Sequence, residues 1–352
     1  MSHSEYPVNR RAFARIRRTA VYHAVCRSWD ERTIAACSGG TDSTALVAVA
    51  AIALDAGRIP GFIVTHVDHR TRPGTDAEGQ FVAALARSFG LPFVQLSIAD
   101  KPDEKRGGAE AVLRSGRYSA LAELSGRLGM SGVATAHTRD DQIESILLRL
   151  LSGSSSVALA GMRDRQILAT RSGPIAVRRP LLEITRPELT EVLDLLGLPH
   201  IDDPSNEDVR YRRNRLRHRV IRELEALDPG FGAGLIRATS LARADGLVVD
   251  RIASQMRDDH VVERRHTRIV PLDVLRSTDA AISSRIVQHM ILELIEGDAR
   301  ELTHERIMAV VGAAGGRQGS VIELPYEITA RVGKRELTIV RQCGTEGGET
   351  DD

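Results

Sequence analysis

A short polar segment with two glycines, Ser38-Gly39-Gly40-Thr41-Asp42-Ser43, has the composition of a phosphate-binding loop. Residues 33–37 before it predict a short buried strand, and residues 45–56 after it predict a helix rich in Ala, Leu and Val. Glycines at such a junction allow a tight turn and a close approach of the backbone to a ligand. The first amides of a helix lack internal partners and the helix dipole is positive there, so an anion is favoured. We therefore predict a phosphate cradle at residues 38–43.

Asp42 is the residue of this loop that a simple phosphate site does not explain. Its carboxylate repels phosphate unless a divalent cation such as Mg²⁺ bridges the two. The loop also lacks the lysine of a Walker loop, whose pattern is Gly-x-x-x-x-Gly-Lys-Ser/Thr. An ordinary glycine-rich turn is the alternative for six residues taken alone, and the flanking strand and helix favour the phosphate cradle.

A second polar group, His137, Asp140, Asp141 and Glu144, follows the predicted strand at residues 133–136. Asp141 and Glu144 are three residues apart and share a face of the predicted helix. Carboxylates in a first turn also complement the helix dipole, so helix capping is the alternative. Three carboxylates close together repel, which favours a bound cation: Mg²⁺, a substrate ammonium or both. His137 is a candidate member of this site, with a structural role as its alternative.

A third feature is the run of seven arginines without an acidic residue at positions 209–222. Leu216, Val220 and Leu224 give this segment an apolar stripe, which predicts a helix. A charge run is usually a solvated helix face. Seven like charges repel one another unless an anion is near, so we expect phosphate groups at this segment.

The elements that must position these residues follow an alternating pattern. Four predicted strands lie at residues 33–37, 59–66, 93–97 and 133–136, and four predicted helices lie at 45–56, 76–89, 109–128 and 140–151. This alternation predicts an α/β fold with a doubly wound, mostly parallel sheet, in which ligands bind at the carboxyl ends of the strands. Further on, residues 166–170 and 175–178 predict a hairpin, and Pro187 predicts the start of a helix.

The length predicts two or three domains, and the composition argues against a membrane protein and against a disulfide-rich protein. The chain has 352 residues, a net charge of +1, three scattered cysteines and no apolar run of ~20 residues, so we expect a cytoplasmic protein. The expected parts are an N-terminal basic helix (1–30), a catalytic domain (31–200), an arginine-rich connecting helix (201–225), a helical domain with short strands at 320–324 and 337–340 (226–343) and a disordered acidic tail (344–352).

Seven motifs occur in one order along residues 30–225 and together resemble those of the bacterial tRNA(Ile)-lysidine synthetases, which are PP-loop ATP pyrophosphatases. The motifs are Asp42 in the loop, His66-Val67-Asp68-His69, Arg114-x-x-Arg117-Tyr118, His137-x-x-Asp140-Asp141-x-x-Glu144, Arg179-Pro180-Leu181-Leu182, Asp203-Pro204-Ser205-Asn206 and Arg213-Asn214-Arg215-Leu216-Arg217. Arg70 departs from the pattern, because a glycine commonly follows the Asp-His pair in this family.

The resemblance implies a two-step ligase reaction on tRNA. ATP adenylates the C2 oxygen of cytidine 34 in the CAU anticodon of a tRNA(Ile) and releases pyrophosphate. The ε-amine of free L-lysine then attacks C2 and expels AMP. The product base, lysidine, changes both the codon and the amino-acid specificity of the tRNA from Met to Ile.

The resemblance also implies roles for individual residues. Those expected to bind ATP are Ser38, Gly39, Gly40, Thr41, Asp42, Ser43, His66 and Arg114, with Asp42 also holding Mg²⁺ through the phosphates. Those expected to bind lysine are Asp141 and Glu144, and those expected on ATP or tRNA phosphates are Arg213, Asn214 and Arg217. The residues expected to be catalytic are Asp42, Arg114, His137, Asp141, Glu144 and Arg217. The implied partners are the tRNA and lysine, without a membrane, and a homodimer is one open alternative for the oligomeric state.

Other functions of PP-loop proteins are the alternatives. A tRNA 2-thiolation enzyme needs paired cysteines or an iron–sulfur cluster, and Cys26, Cys37 and Cys343 form no CxxC pair. An amidotransferase synthetase usually carries a glutaminase segment, which is not evident here. A nucleotide-binding regulator without catalysis needs neither the clustered carboxylates nor the arginine run.

Overall fold

The computed structural model describes residues 6–29, 31–68, 75–98, 109–153, 159–202, 212–295, 302–316 and 318–342. The chain divides into two compact units, the first made of residues 1–145 and 161–232, and the second of residues 146–160 and 233–352. The motif at residues 203–206, the residues His69 and Arg70, Tyr211 and the acidic tail lie outside the described residues. Among the described helices, none combines the length and the hydrophobicity needed to cross a membrane.

The first unit contains a six-stranded sheet of the predicted class. Its strands are β1 (Ile34–Ala36), β2 (Ile63–Asp68), β3 (Phe93–Ser97), β4 (Val133–Ala134), β5 (Arg165–Leu168) and β6 (Ile175–Arg178), in the spatial order β3-β2-β1-β4-β6-β5. The first four and β6 pair in parallel, whereas β5 pairs antiparallel with β6 as the predicted hairpin. Chain order reverses around β1, so the crevice for a ligand lies at the carboxyl ends of β1 and its neighbours.

The α-helices described before residue 200 accompany these strands in the first unit. They are α1 (Phe13–Ile16), α2 (Ala20–Ser28), α3 (Thr41–Asp55), α4 (Thr75–Ser88), α5 (Ala109–Leu128), α6 (Arg139–Leu150, which we call the acidic helix) and α7 (Arg186–Leu196), except that residues 146–150 of α6 belong to the second unit. Helix α3 is buried on every side from Ser43 to Ala53, because α2 and α7 pack against it. Such a helix reads as uniformly apolar, without a polar face.

The N-terminal segment differs from the single basic helix that the sequence predicts. A turn at Arg17 and Arg18 separates α1 from α2, and the Thr19 side chain caps α2 by accepting a hydrogen bond from the Tyr22 amide at 3.3 Å. The apolar residues of this segment are buried in the core with α3, as Val21, Val25 and Trp29 are at most 1% exposed.

Helix α7 begins and ends with strong local signals. The carboxylate of Glu188 accepts a hydrogen bond from the Thr185 backbone amide at 2.9 Å, which is part of a capping box. Pro187 stands in the first turn, and Gly197 ends the helix with a φ of +65°. Four apolar residues form its core-facing side and are all buried: Leu189, Val192, Leu193 and Leu196.

The arginine-rich segment is helical over residues 212–227, which we call the arginine helix. It runs from Arg212–Arg215 through a π-helical turn at Leu216–Ile221 into Arg222–Leu227. The π turn adds a residue to the helical repeat, so Leu216 and Ile221 are the buried pair. The predicted stripe through Val220 is therefore wrong, since Val220 is 41% exposed.

The second unit contains an antiparallel sheet, where the sequence predicts helix for residues 226–312 and two terminal strands. Five strands, β7 (Val262–Arg264), β8 (Thr267–Pro271), β9 (Val321–Leu324), β10 (Ile328–Val332) and β11 (Glu336–Arg341), lie in the order β7-β8-β11-β10-β9. The helices are Phe231–His260, most of which belongs to this unit, Leu272–Ser277, Ala280–Leu292 and His304–Gly315. The prediction is thus wrong at residues 262–271, a short polar hairpin without a strong period-2 pattern.

Candidate functional site

The phosphate loop, residues 38–43, leaves the carboxyl end of β1 and is held together by its own serines. The Ser43 hydroxyl accepts a hydrogen bond from the Ser38 amide at 3.2 Å and donates to the Gly40 carbonyl at 3.1 Å. The two serine hydroxyls are 3.1 Å apart. These hydroxyls therefore shape the loop, in addition to the phosphate contacts predicted for them.

Gly39 occupies the one position of the loop that excludes a side chain. Its φ is +91°, which L residues rarely adopt. Its carbonyl accepts hydrogen bonds from the Ile201 amide at 2.9 Å and from the Thr44 hydroxyl at 3.0 Å. A Cβ at Gly39 would stand 2.8 Å from Ile201 Cδ1. Ile201 therefore packs directly against the backbone of Gly39, where no side chain can be accommodated.

The start of α3 provides the anion-binding end of this loop. The helix begins at Thr41, so the last three residues of the predicted loop form its first helical turn. Gly40 is the N-cap and supplies no side chain to accept from the first amides. The amides at this end are available to a ligand's phosphate oxygens, and the helix dipole favours negative charge there.

Asp42 projects from this first turn into an ion pair with Arg186 at the start of α7. Arg186 Nη2 donates to Asp42 Oδ2 at 3.0 Å, and Arg186 Nε lies 3.4 Å from Oδ1. Burial raises the pKa of the Asp42 carboxyl and Asp141 adds to this, whereas Arg186 opposes the rise. Asp42 is therefore a buried carboxylate that depends on a neighbouring cation.

His66, at the carboxyl end of β2, contacts the strand that leads into the loop. Its Nδ1 lies 3.1 Å from the carbonyl of Cys37, so the ring donates its proton there. Its Nε2 is buried and has no hydrogen-bond partner among the described residues. Cys37 is a buried residue of the core, and burial raises the pKa of its thiol to about 11.

The acidic helix is capped by one of its own carboxylates, so helix capping, the alternative role predicted for these residues, is confirmed for Asp141. Asp141 Oδ2 accepts a hydrogen bond from the Thr138 amide at 2.9 Å and another from the Thr138 hydroxyl at 3.2 Å. Its other oxygen, Oδ1, faces the arginine helix. Burial alone would raise the pKa of Asp141, but Arg213, the Thr138 amide, His137 and Arg217 outweigh it and lower that pKa.

Glu144 is fully buried and is bound by two arginines of the arginine helix. Arg213 Nε donates to Glu144 Oε2 at 2.6 Å, and Arg217 Nε donates to Glu144 Oε1. The Nη2 atoms of both arginines reach Asp141 Oδ1, at 2.9 Å from Arg213 and 3.4 Å from Arg217. The cation expected among these carboxylates is thus supplied by the protein itself, as two guanidinium groups four residues apart.

His137 lies beside this cluster as a neutral imidazole. Its Nδ1 is 2.8 Å from the Thr135 hydroxyl. Burial lowers the pKa of His137 to about 3, with Arg179, Arg114 and Arg117 lowering it further and Asp141 opposing them. The ring therefore carries no charge near pH 7, and a lone pair is available on one nitrogen.

Helix α5 brings Arg114 and Arg117 toward the same region. Their guanidinium carbons lie 5.3 and 5.5 Å from the centroid of the Tyr118 ring. Tyr118 is 3% exposed and belongs to a core cluster, so it is a structural residue that holds these arginines.

Arg186, the ion-pair partner of Asp42, is a site residue that none of the sequence motifs predicts. A cation in the first turn of a helix opposes the helix dipole, so Arg186 before Pro187 was the available signal of an acidic partner. Arg179 is 2% exposed and donates to the Arg163 carbonyl at 2.7 Å, and it acts on His137 from within the core. Asn214 lies on the arginine helix next to Arg213 and is partly exposed.

The donors present fit Mg²⁺ only with the help of substrate phosphates. Among the described residues no group of three His, Cys, Asp or Glu side chains is placed to hold a metal ion. Mg²⁺ is commonly bound by one or two carboxylates together with phosphate oxygens and water. Asp42 at the phosphate loop can supply such a carboxylate once phosphates are bound. The described side chains alone do not form a complete metal site.

Comparisons with known proteins agree on one family. The sequence profile of the PP-loop domain matches residues 14–224. The tRNA(Ile)-lysidine synthase of Salinispora arenicola is 40% identical over 88% of this chain and 91% of its own length. That of Streptomyces coelicolor is 34% identical over 85% and 82%, and that of Geobacter sulfurreducens is 30% identical over 91% and 67%.

One solved structure shares the fold at low sequence identity. The U34-tRNA thiolase NcsA from Methanococcus maripaludis, solved with its [4Fe-4S] cluster, superposes with a TM-score of 0.53. It covers 67% of this chain and 81% of its own, at 14% identity, so the likeness concerns the fold alone. The profile and the relatives lead to one conclusion: this chain belongs to the tRNA(Ile)-lysidine synthase family of PP-loop proteins.

Proposed function

We propose that this chain joins free L-lysine to C2 of cytidine 34 in the CAU anticodon of a tRNA(Ile), while ATP is converted to AMP and pyrophosphate. The relatives named tRNA(Ile)-lysidine synthase support this reaction, and the PP-loop domain supports the use of ATP. One structural observation carries the proposal: the phosphate loop and the acidic helix follow the neighbouring parallel strands β1 and β4, so both lie at one edge of the sheet.

The phosphate loop and its neighbours form the proposed ATP site. The amides at the start of α3 bind phosphate oxygens, with Ser38, Gly39, Gly40, Thr41 and Ser43 lining the loop. The buried Nε2 of His66 accepts a hydrogen bond from a donor group of the nucleotide, which would satisfy an otherwise unpartnered atom. Arg114, which is exposed on α5, contacts the phosphates. Asp42 would hold Mg²⁺, which stabilises the negative charge of the pyrophosphate leaving group.

The chemistry explains why such a site is needed. C2 of cytosine is a poor electrophile and its oxygen is a poor leaving group. Transfer of AMP to that oxygen makes it a good one. The loop amides and the arginines stabilise charge on the departing pyrophosphate, which is the largest contribution such a site can make.

The lysine site requires an exchange of partners at the acidic helix. Asp141 and Glu144 carry two negative charges, which Arg213 and Arg217 already balance. A lysine ammonium would add a third positive charge to two carboxylates. We therefore expect one guanidinium group to move away from the carboxylates when lysine binds. Phosphates of ATP or tRNA are the partners to which Arg213, Arg217 and the adjacent Asn214 turn. In this way, phosphate binding frees the carboxylates for lysine.

The amine of lysine must lose a proton before it attacks. His137 has the correct protonation state for an acceptor, because its ring is neutral, but a pKa of about 3 makes it a weak base in the free protein. A carboxylate of the acidic helix is the other candidate. Binding of substrates changes the charges around both groups and therefore their proton affinities.

The second unit is the proposed region of tRNA recognition. Phosphate contacts dominate the affinity of most proteins for nucleic acid, so we expect tRNA binding to weaken with salt. Cytidine 34 must leave its stack to reach the loop, as single-stranded bases do when they are read.

The proposal is tested by incorporation of radiolabelled lysine into a tRNA(Ile) transcript with the CAU anticodon. A transcript with uridine at the first anticodon position is the matched control. We expect ATP-dependent label in the first transcript, none in the second, and none with Asp42→Ala or Glu144→Ala. A 2-thiolation enzyme would leave lysine unincorporated and would modify the transcript only with a sulfur donor. Absence of label with ATP and Mg²⁺ present would therefore refute the proposed reaction.

A further inference from the structure

Arg186 stands where three elements of the first unit meet. Its guanidinium faces both oxygens of Asp42 on α3, at 3.0 and 3.4 Å. Burial raises the pKa of the Asp140 carboxyl on the acidic helix, and the positive charge of Arg186 opposes that rise. The residue itself opens α7. One arginine of α7, the helix that packs against α3, thus acts on carboxylates of both the phosphate loop and the acidic helix.

The charges around Arg186 show why a cation is needed at this point. Asp42, Asp140 and Asp141 all act on it electrostatically, so it faces three carboxylates. The Asp42 side chain is only 18% exposed, and water screens its charge poorly. A polyphosphate that entered the loop beside an uncompensated Asp42 would be repelled. The two N–H groups of Arg186 neutralise that carboxylate and hold its orientation.

Helix α7 does not need Arg186 for its own formation. The capping box of Thr185 and Glu188, the proline in the first turn and four buried apolar residues already define it. A cation at this end even opposes the helix dipole. The placement of Arg186 is therefore explained by Asp42 and Asp140 rather than by the helix that carries it.

We propose that Arg186 is a positioning residue of the phosphate loop: its guanidinium neutralises and orients Asp42 so that the loop accepts a polyphosphate before a divalent cation is bound. This inference rests on the proposed function, in which the loop binds ATP. Arg186 acts through Asp42 and is distinct from the arginines of the arginine helix, which bind Asp141 and Glu144.

The test is equilibrium binding of ATP to the full chain, measured once with EDTA and once with excess Mg²⁺. We expect Arg186→Gln to weaken ATP binding by about tenfold or more in EDTA, as loss of a desolvated charge partner implies. Excess Mg²⁺ replaces the missing positive charge, so the loss there is only about twofold to threefold. Arg186→Lys keeps the charge without the planar fork and lies between the wild type and Arg186→Gln.

Arg15→Gln is the matched control. Arg15 on α1 forms an exposed ion pair, at 2.9 Å, with Glu191 on α7, the helix that also carries Arg186. This variant should bind ATP as the wild type does in both conditions. Thermal denaturation shows whether each variant is folded, and Arg186→Lys keeps the test decisive if Arg186→Gln is not.

Three results would overturn the inference. They are unchanged ATP binding by Arg186→Gln in EDTA, an equal loss in EDTA and in Mg²⁺, and wild-type binding that requires Mg²⁺ altogether. A wild-type chain that binds no ATP in either condition is a different outcome, since it contradicts the proposed function itself.

Discussion

Arg213 donates a hydrogen bond from Nε to the fully buried carboxylate of Glu144 at 2.6 Å, although the two residues are 69 positions apart in the chain. Arg217 binds the other oxygen of the same carboxylate. The acidic helix and the arginine helix are therefore joined by a charged contact whose Glu144 carboxylate is shielded from water, while both arginines are partly exposed. Such a contact contributes to stability and occupies the groups proposed for lysine binding at the same time.

Replacement of Glu144 should separate these two contributions. Glu144→Gln leaves Arg213 and Arg217 facing an uncharged amide, and we expect the free energy of unfolding to fall by ~3–5 kcal/mol. Lysine incorporation should fall by at least about a hundredfold, because the charged ligand of the ammonium is gone. Urea denaturation and the radiolabel assay measure the two effects.

The double variant Glu144→Gln/Arg217→Gln isolates the structural part. It removes one of the two arginines that Asp141 alone must then balance, and should recover part of the stability without recovering lysine incorporation. Glu191→Gln, which breaks the exposed pair with Arg15, should change stability by no more than ~0.5 kcal/mol. Recovery of lysine incorporation in the double variant would contradict the role of Glu144 in lysine binding.

The affinity for lysine should depend on whether phosphates are present. In the free enzyme Arg213 and Arg217 balance the carboxylates, so we expect ATP to tighten lysine binding by about tenfold, a usual size for coupling between two sites. Arg217→Gln removes one competitor and should bind lysine more tightly than the wild type when ATP is absent. Calorimetry with lysine provides both numbers. An identical lysine affinity with and without ATP, in both proteins, would argue against the exchange.

Acid should destabilise the protein partly through His137. Its pKa is about 3 in the fold against an ordinary 6.5, so between these values the unfolded chain binds more protons. Stability therefore rises with pH through that window and is lost as the pH falls, by up to ~1.4 kcal/mol per pH unit for one proton.

Denaturation at several pH values between 4 and 7 measures this slope. His137→Gln should give a shallower slope than the wild type. Equal slopes in the two proteins would show that His137 titrates normally in the fold.

Gly39→Ala should impair the phosphate loop for two reasons. The residue has a φ of +91°, and the new Cβ would stand 2.8 Å from Ile201 Cδ1. We expect a stability loss of ~1–3 kcal/mol and weaker ATP binding. Gly57→Ala is the control, because Gly57 has a φ of +65° with no atom within 4 Å of the added Cβ. It should lose stability from backbone strain alone and keep its ATP affinity. Normal ATP binding by Gly39→Ala would show that the loop tolerates a side chain.

The sequence predicted the first unit well because its signals are local. The strand Ile34–Ala36 and the helix Thr41–Asp55 are marked by apolar residues, and two glycines stand between them. The phosphate loop followed from the same logic, although three of its residues belong to the first turn of α3.

Long-range pairing was outside the reach of that reasoning. Nothing in the sequence near Glu144 indicates that Arg213 and Arg217 bind it. The sequence therefore predicts lysine as the ligand of Glu144 and phosphates as the ligands of the two arginines. Arg186 was missed because its partner, Asp42, is 144 positions away. The hairpin at Val262–Arg264 and Thr267–Pro271 was missed because its first strand is entirely exposed and carries no apolar alternation.

Mass spectrometry of nucleosides tests the central claim most directly. A tRNA(Ile) transcript with the CAU anticodon is incubated with the protein, ATP, Mg²⁺ and lysine, and is then digested to nucleosides. We predict a new nucleoside with the mass of cytidine plus lysine minus one water, absent when either ATP or lysine is omitted. An unmodified cytidine 34 with all substrates present and bound would contradict the account.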